Sequence, residues 1–379
     1  MMTRQDQQDL KILAELFAKA GINVNGSTLP DIQINNPAML HMLYNNWSLG
    51  FGEAYIKGYW DCKQLDQLIC KLFQKEFEKK PSGISKIYLL CHKLRSKLFN
   101  LQSYSRAFQV GKQHYDIGND LFQHMLDPYM QYSCGFWKNA KNLNQAQIHK
   151  LEMICQKLQL KPGDTVLEIG CGWGGFAEYA TKNYRIKFTG ITISKAQQAY
   201  ATKRCEGLPV KIKLVDYRKI KGRFDKIVSI GMFEHVGSKN YAIYFKLINQ
   251  YLKSSGLFLL HTIGSSISVV GTDPWINKYI FPNGEIPSYE EITQNTEGLF
   301  HIEDWHNFGQ DYDKTLMAWM HNFETTWPQL KSNYSNEFYR MWQYYLLSCA
   351  GYFRAKKGQL WQIVFTKIGS NLKYRSVRP

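Results

Sequence analysis

The run VLEIGCGWGG at residues 166–175 constrains the fold more than any other stretch of this 379-residue chain. An apolar segment meets an acid, Glu168, and passes at once into Gly170, Gly172 and Gly174. Glycine tolerates positive φ and carries no Cβ, so this spacing lets a buried strand turn sharply beneath a ligand and enter a helix at about Gly175. The flanking pattern agrees. Short β-branched or apolar runs recur as TVLEI (165–169), KFTGI (187–191), VKIKLV (210–215), FDKIVSI (224–230) and GLFLLH (256–261). Helix-like segments separate them, which is the pattern of a parallel, doubly wound α/β sheet. Two later runs, LFHIEDWHNFG and LWQIVFTK, are placed to complete it as an edge pair. Between them, residues 311–358 form an aromatic-rich insertion with helical character that a minimal sheet does not need.

The chain ahead of the sheet reads differently. Residues 3–20 space Leu10, Leu13, Leu16 and Phe17 along one face of a helix that Gly21 stops. Residues 49–73 alternate glycines with aromatics before turning helical, so residues 1–80 are expected to form a small, mainly helical domain. Pro81, Ser82 and Gly83 then break the chain before a basic amphipathic linker helix within 81–110. Ile84, Ile87, Cys91, Leu94, Leu98 and Leu101 make its apolar face, with Lys86, Lys93, Arg95 and Lys97 around the rest. That pattern suits either a helix lying on a membrane surface or one packed between domains with a solvated basic back. Residues 111–379 are assigned to the catalytic domain.

Charge narrows the partners. The 47 Lys and Arg exceed the 31 Asp and Glu by 16. Ten of the basic residues fall within 71–112, against only Glu76 and Glu78, and seven more lie from Tyr352 to the C-terminus with no acid. Such surpluses imply a polyanion, either nucleic acid or an anionic lipid surface. No zinc finger, RNA-recognition signature or isolated basic tail accompanies them, so no nucleic acid is expected. No apolar run reaches the length of a spanning helix, and the N-terminal segment carries charges where a secretory signal would be apolar; a cytoplasmic protein is expected. The eight cysteines include no C-x-x-C pair and no Cys/His cluster with zinc spacing, so no metal is expected.

The glycine loop reads E-x-G-x-G-x-G and departs from the G-x-G-x-x-G of nicotinamide and flavin sites. It resembles motif I of S-adenosylmethionine-dependent methyltransferases, which implies that Glu168, Gly170, Gly172 and Gly174 border the cofactor's amino-acid end. Many such enzymes place an acid after the second strand to hold the ribose; here Thr192 stands there. Thr192 and Gln197 become hydrogen-bonding candidates for the ribose, and Asp216 with Tyr217 for the adenine, ordinary capping being the alternative for each.

A wider resemblance follows from GKQHYDIGNDLFQHMLDPYMQYSCGFW (111–137), GITIS, LVDYR, GMFEHVG, HTIG and PWINKYIFPNGEIPS, taken in order with the glycine loop. Together these resemble the bacterial cyclopropane-fatty-acyl-phospholipid synthases, and LGFGEAYIKGYWDCKQLDQL resembles the N-terminal domain of their longer branch. The resemblance implies a Rossmann-like class I methyltransferase with a mostly parallel seven-stranded sheet. It implies methylene transfer from S-adenosylmethionine to the cis double bond of unsaturated phospholipid acyl chains, through a carbocation whose proton goes to enzyme-bound bicarbonate. Glu234, His261 and Tyr312 would hold that anion with backbone groups of Cys134 and Ile263, and Tyr132 and Ser133 would touch the methionine moiety. Aromatic faces, Tyr312 and Trp137 among them, suit a transient cation. Cys134 as a nucleophile is disfavoured, because no separate base is evident. The resemblance further implies peripheral docking at the inner face of the cytoplasmic membrane, with Lys86, Lys93, Arg95 and Lys97 as the contacts, and a homodimer. Transfer without ring closure, giving methyl-branched lipids, and methylation of a small amine remain the alternatives.

Overall fold

The computed structural model describes residues 3–75, 118–269 and 271–378, which divide into two compact units. The basic helix expected within 81–110, with Lys86, Lys93, Arg95 and Lys97, lies outside the described residues.

The first unit joins residues 3–75 to 271–282 and 316–358. The helix expected near the start spans Arg4–Ala18 and opens on a Thr3 capping box, its hydroxyl accepting from the Asp6 amide. Gly21, at φ 66°, follows its end. Further helices span Ala38–Ile56 and Leu65–Gln74, with a two-stranded ribbon of β1 (Gln33–Ile34) and β2 (Trp60–Asp61). The alternation of glycine and aromatics now has a packing reason. A Cβ on Gly52 would sit 2.4 Å from Trp275, and Phe51 stacks on Trp60 at 4.2 Å. The insertion is helical as expected, over Asp311–Leu330 and Asn336–Arg354. Its residues from 316 onward pack with the N-terminal helices: Arg354 pairs with Asp66, and a Cβ on Gly351 would lie 2.6 Å from the Asp66 carbonyl. The helical unit is thus assembled from three separated segments, where the linear reading drew a boundary at residue 80.

The second unit holds the sheet, built from β3 (Thr165–Ile169), β4 (Lys187–Thr192), β5 (Val210–Leu214), β6 (Phe224–Ile230), β7 (Leu252–Gly264), β8 (Phe300–Asn307) and β9 (Gln359–Lys367). The order across it is β5-β4-β3-β6-β7-β9-β8. The first five strands are parallel, and β9 is antiparallel to both β7 and β8, so the expected pair closes one edge. This is the seven-stranded class I methyltransferase sheet. The central strands are covered on both faces, which is why they read as continuous apolar runs. The edge strand β5 instead alternates, exposing Lys211 and Lys213, a charge pattern that discourages further strand pairing.

Side chains alternate between two cores. Leu167, Ile227, Phe258, Leu260, Trp361 and Ile363 pack with Tyr244, Phe245 and Ile248 of the helix Tyr241–Tyr251. Val166, Val228, Leu257, Leu259 and Val364 face the helices Leu143–Lys157 and Gly175–Tyr184. The C-terminal ends of β3, β4, β6 and β7 carry the residues to which the sequence assigns chemistry, as is usual for an open α/β sheet.

Candidate active site

The glycine loop adopts the geometry its composition anticipates. Gly170, Gly172 and Gly174 have φ of 82°, 51° and 81°, all in the region that penalises a Cβ. A Cβ on Gly170 would lie 2.8 Å from the Met232 side chain, whereas one on Gly172 would meet nothing within 4 Å. Gly172 therefore lines open space at the turn. The amides of Gly170 and Cys171 donate to the Ile191 carbonyl at 3.0 and 2.9 Å, tying the turn to β4.

Around that space the expected residues take distinct parts. The Thr192 hydroxyl donates to Gln197 Oε1 at 2.9 Å and accepts from the Ser194 amide at 3.1 Å. Thr192 is thereby occupied, and its effect is to fix the Gln197 amide so that Nε2 is the group left to offer a donor. Asp216 caps the turn after β5, and both its oxygens accept from the Arg218 guanidinium. Tyr217 is buried and packs edge-on against Tyr244. The capping alternative thus describes Asp216 well.

A buried polar group that the sequence analysis did not single out lies between the loop and the segment 129–133. Lys150, fully enclosed on the helix Leu143–Lys157, donates to Gln131 Oε1 at 2.6 Å and to Ser133 Oγ at 2.9 Å. Gln147, one turn earlier, donates to the Ser133 carbonyl at 2.8 Å. Glu168 is buried with Oε2 lacking a partner, and burial pushes its carboxyl up to about 8, against the pull of Lys150. Tyr132 packs edge-on against Phe122, which also contacts Trp173 of the glycine loop.

The second cluster sits at the ends of β6 and β7. Glu234 follows β6 on a short 3-10 turn, and its Oε1 accepts from the Ile263 amide at 2.7 Å. Its Oε2 is buried without a partner among the described residues, and burial pushes the carboxyl up to about 7. His261, on β7, is buried, with Nε2 lacking a partner. Gln362 Nε2 lies 3.3 Å from His261 Nδ1. An amide nitrogen only donates, so with the Gln362 amide in this orientation Nδ1 accepts and the imidazole proton sits on Nε2. Burial, reinforced by Lys150 and Lys157, holds His261 far below the ordinary histidine range, hence neutral. Cys134, Phe136 and Phe308 form one apolar cluster against which Ile263 and Tyr312 pack, and Phe308 meets the His261 ring edge-on at 5.9 Å.

All five residues assigned to the anion therefore fall into one connected neighbourhood. The Cys134 thiol is enclosed, donates to the Gly135 carbonyl, and is pushed well above the usual thiol range by burial, which is poor preparation for a nucleophile. Trp137 is held by its amide to Asp311 and by its indole N–H to Thr315, at 2.8 and 2.9 Å. It borders a cleft of about 330 Å³ together with Phe136, His306, Phe308, Lys314 and Arg378.

Two orphaned polar atoms, Glu234 Oε2 and His261 Nε2, are the groups a small oxygen anion would satisfy: one proton shared with the acid, one donated by the imidazole. The open space at Gly172 and the orphaned Glu168 Oε2 likewise fit a zwitterionic cofactor end. Gln362 was missed by the sequence analysis, yet it had a signal. It is a lone amide inside LWQIVF, a run apolar on both alternating faces.

Comparison with known proteins agrees with this geometry. The sequence model described as mycolic acid cyclopropane synthetase matches residues 102–363. The chain is 53% identical over 362 residues to the cyclopropane-fatty-acyl-phospholipid synthase of Escherichia coli (strain K12), covering 96% of this chain and 94% of that protein. It is 37% identical over 268 residues to a probable fatty acid methyltransferase of Pseudomonas putida, covering 67% and 68%. A crystal structure of a mycolic acid cyclopropane synthase complexed with SAH and CTAB superposes with a TM-score of 0.64 at 29% identity, covering 68% of this chain and 97% of that one. Coclaurine N-methyltransferase, at 22% identity and a TM-score of 0.68 over 83% of this chain and 98% of that one, shares the fold.

Proposed function

The chain belongs to the mycolic acid cyclopropane synthetase family, and from that membership we propose that it is a cyclopropane-fatty-acyl-phospholipid synthase. It would act on cis-unsaturated phospholipid acyl chains, using S-adenosylmethionine and a bound bicarbonate. The observation that supports the bicarbonate part is that two buried atoms without a partner among the described residues, Glu234 Oε2 and His261 Nε2, belong to one connected neighbourhood with Cys134, Ile263 and Tyr312.

S-adenosylmethionine supplies an electrophilic methyl group, and bicarbonate supplies a proton acceptor. The chain's own residues do the rest. Gly172 leaves room for the cofactor at a turn that Gly170 and Gly174 shape, Gln197 offers an amide donor to its ribose, and Tyr132 and Ser133 border its methionine end; Glu168, Asp216 and Tyr217 complete the surround. An alkene is a weak nucleophile, so alignment and exclusion of water matter more than activation. The enclosed layer of Phe136, Phe308 and Tyr312 supports both, and aromatic faces tolerate the positive charge that develops on the acyl chain. His261 donates from Nε2 to the anion. Glu234, near neutrality in its proton affinity, shares a proton with it and so orients an anion that two full charges would repel.

The lipid would reach this site at a membrane surface. Among the described residues no helix is long and apolar enough to cross a membrane, and the basic surplus suits anionic headgroups on the cytoplasmic face. Lys86, Lys93, Arg95 and Lys97 are the proposed contacts, and a homodimer the proposed assembly.

The test is mass spectrometry of acyl chains after incubating the protein with cis-unsaturated vesicles, methyl-labelled S-adenosylmethionine and bicarbonate. A gain of about 14 mass units per double bond, surviving hydrogenation that spares cyclopropanes, is expected, as the replacement of C=C by a methylene-bridged ring requires. Loss of the lipid product in Glu234→Gln, with S-adenosylmethionine still bound, is the matching result for the anion. A reducible methyl-branched product would overturn ring closure, and no lipid product would overturn the substrate.

A further inference from the structure

Among the described residues Lys150 has no ionic partner at contact distance. It is 0% exposed, and its hydrogen bonds go to two neutral acceptors, Gln131 Oε1 and Ser133 Oγ. A buried ammonium normally carries a carboxylate with it, because desolvation is costly. The acids that act on it through space are Asp127 and Glu168, both of which burial pushes toward the protonated form. Burial also brings Lys150 itself down to about 8, and since neither acid touches it, a countercharge at contact distance is left to be supplied.

Hydrogen-bond direction says where that charge belongs. An ammonium has no lone pair, so Ser133 Oγ accepts from Lys150, and the serine's own O–H must turn elsewhere to an acceptor. Gln131 is fixed in the same way: Oε1 accepts from Lys150 while Nε2 donates to the Tyr129 carbonyl at 3.2 Å. The segment lies directly against the glycine loop. A Cβ on Gly175 would be 1.8 Å from the Tyr129 carbonyl and 2.6 Å from Gln131 Nε2, and one on Gly231 would be 3.8 Å from Ser133 Cβ. Gly175 also begins a ten-residue helix, whose first amides favour negative charge. The Ser133 hydroxyl, oriented to donate, has the ammonium immediately behind it, and its neighbours Tyr129 and Gln131 lie against the start of that helix.

Resting on the S-adenosylmethionine reading above, we infer that Lys150 is a positioning residue for the cofactor's α-carboxylate, acting through Ser133. Lys150 fixes the serine hydroxyl as a donor and supplies the countercharge. Its role is to seat the amino-acid end of the cofactor so that the methyl group is aimed.

The experiment measures Kd by calorimetry for S-adenosylmethionine and for its decarboxylated analogue, which keeps the sulfonium and lacks only the carboxylate. Lys150→Met is expected to weaken S-adenosylmethionine by about 10- to 100-fold, the range for a charge-assisted contact, and to change the analogue by less than about 3-fold. Ser133→Ala, which leaves the lysine in place, is expected to show the same selectivity and serves if Lys150→Met does not fold. Equal losses for the two ligands, or no loss for either, would overturn the inference. Failure of the wild-type protein to bind S-adenosylmethionine is the separate result that overturns the cofactor reading, and this inference with it.

Discussion

Gln362 Nε2 approaches His261 Nδ1 at 3.3 Å across the paired strands β9 and β7, where the two residues are direct partners in register. The contact places the imidazole proton on Nε2, a buried atom with no partner among the described residues. Gln362→Glu should reverse it. A carboxylate accepts from Nδ1–H, leaving Nε2 as an acceptor that repels an oxygen anion. We expect turnover to fall about 100-fold, as when one donor is removed from a charge-stabilising site, with the bicarbonate dependence shifted to higher concentration. Steady-state kinetics against bicarbonate check this; an unchanged dependence would show that the tautomer is set otherwise.

Glu234 should make stability depend on pH in a defined direction. Burial raises its carboxyl from the ordinary 4.5 to about 7 in the folded protein. Folding then favours the protonated form, so this contribution is fully present below about pH 4.5 and is lost as pH rises through 7. The shift corresponds to about 3 kcal/mol of stability lost by pH 8. Glu234→Gln cannot ionise, so its melting temperature relative to the parent should rise steadily from pH 5 to pH 8 in bicarbonate-free buffer. A constant difference across that range would remove Glu234 as the titrating group.

Much of this architecture was readable from local pattern, because local pattern has a direct physical cause there. The central parallel strands are covered on both faces and so read as apolar runs, and the glycine loop must combine positive φ with open space at Gly172. What escaped was long-range. Asp66 and Arg354 carry no local mark of their pairing, so the helical unit could not be seen to draw on both ends of the chain. Lys150 and Lys157 were equally hidden. A lysine on a mixed helix reads as solvated, and here two of them, two turns apart, are enclosed because Ser133, Gln131 and Asp304 wait on the other side.

Gly172 offers a separation of stability from binding. Gly172→Ala meets no atom of the protein, but its φ of 51° strains any Cβ. It should cost about 1 kcal/mol of stability while weakening S-adenosylhomocysteine by more than about 10-fold, since the methyl group enters the space left for the ligand. Gly207→Ala, at φ 77° with equally open surroundings but between a helix and β5, is the control. It should cost similar stability and leave binding unchanged. Chemical denaturation and calorimetry on both variants decide it, and parallel losses of binding would mean that Gly172 does not face the cofactor.

Asp304 neutralises a lysine that would otherwise be stranded. Its carboxylate is 3.2 Å from Lys157 Nζ, both side chains being essentially inaccessible, and it also receives Arg378 from the C-terminal segment. Burial acts to raise the Asp304 carboxyl, but Arg378 and Lys157 outweigh it and hold it low, while burial brings Lys157 down to about 8. Asp304→Asn removes the one charge that keeps Lys157 protonated, and a buried cation without its partner costs about 3–5 kcal/mol. Arg378→Ala, at a half-exposed side chain, should cost about 1 kcal/mol or less. The two losses should also differ in pH dependence. In Asp304→Asn, Lys157 can escape the penalty by shedding its proton, so the deficit against the parent should shrink between pH 6 and pH 9. Urea denaturation at those two pH values checks this, and a deficit independent of pH would mean that the loss comes from packing around Asp304.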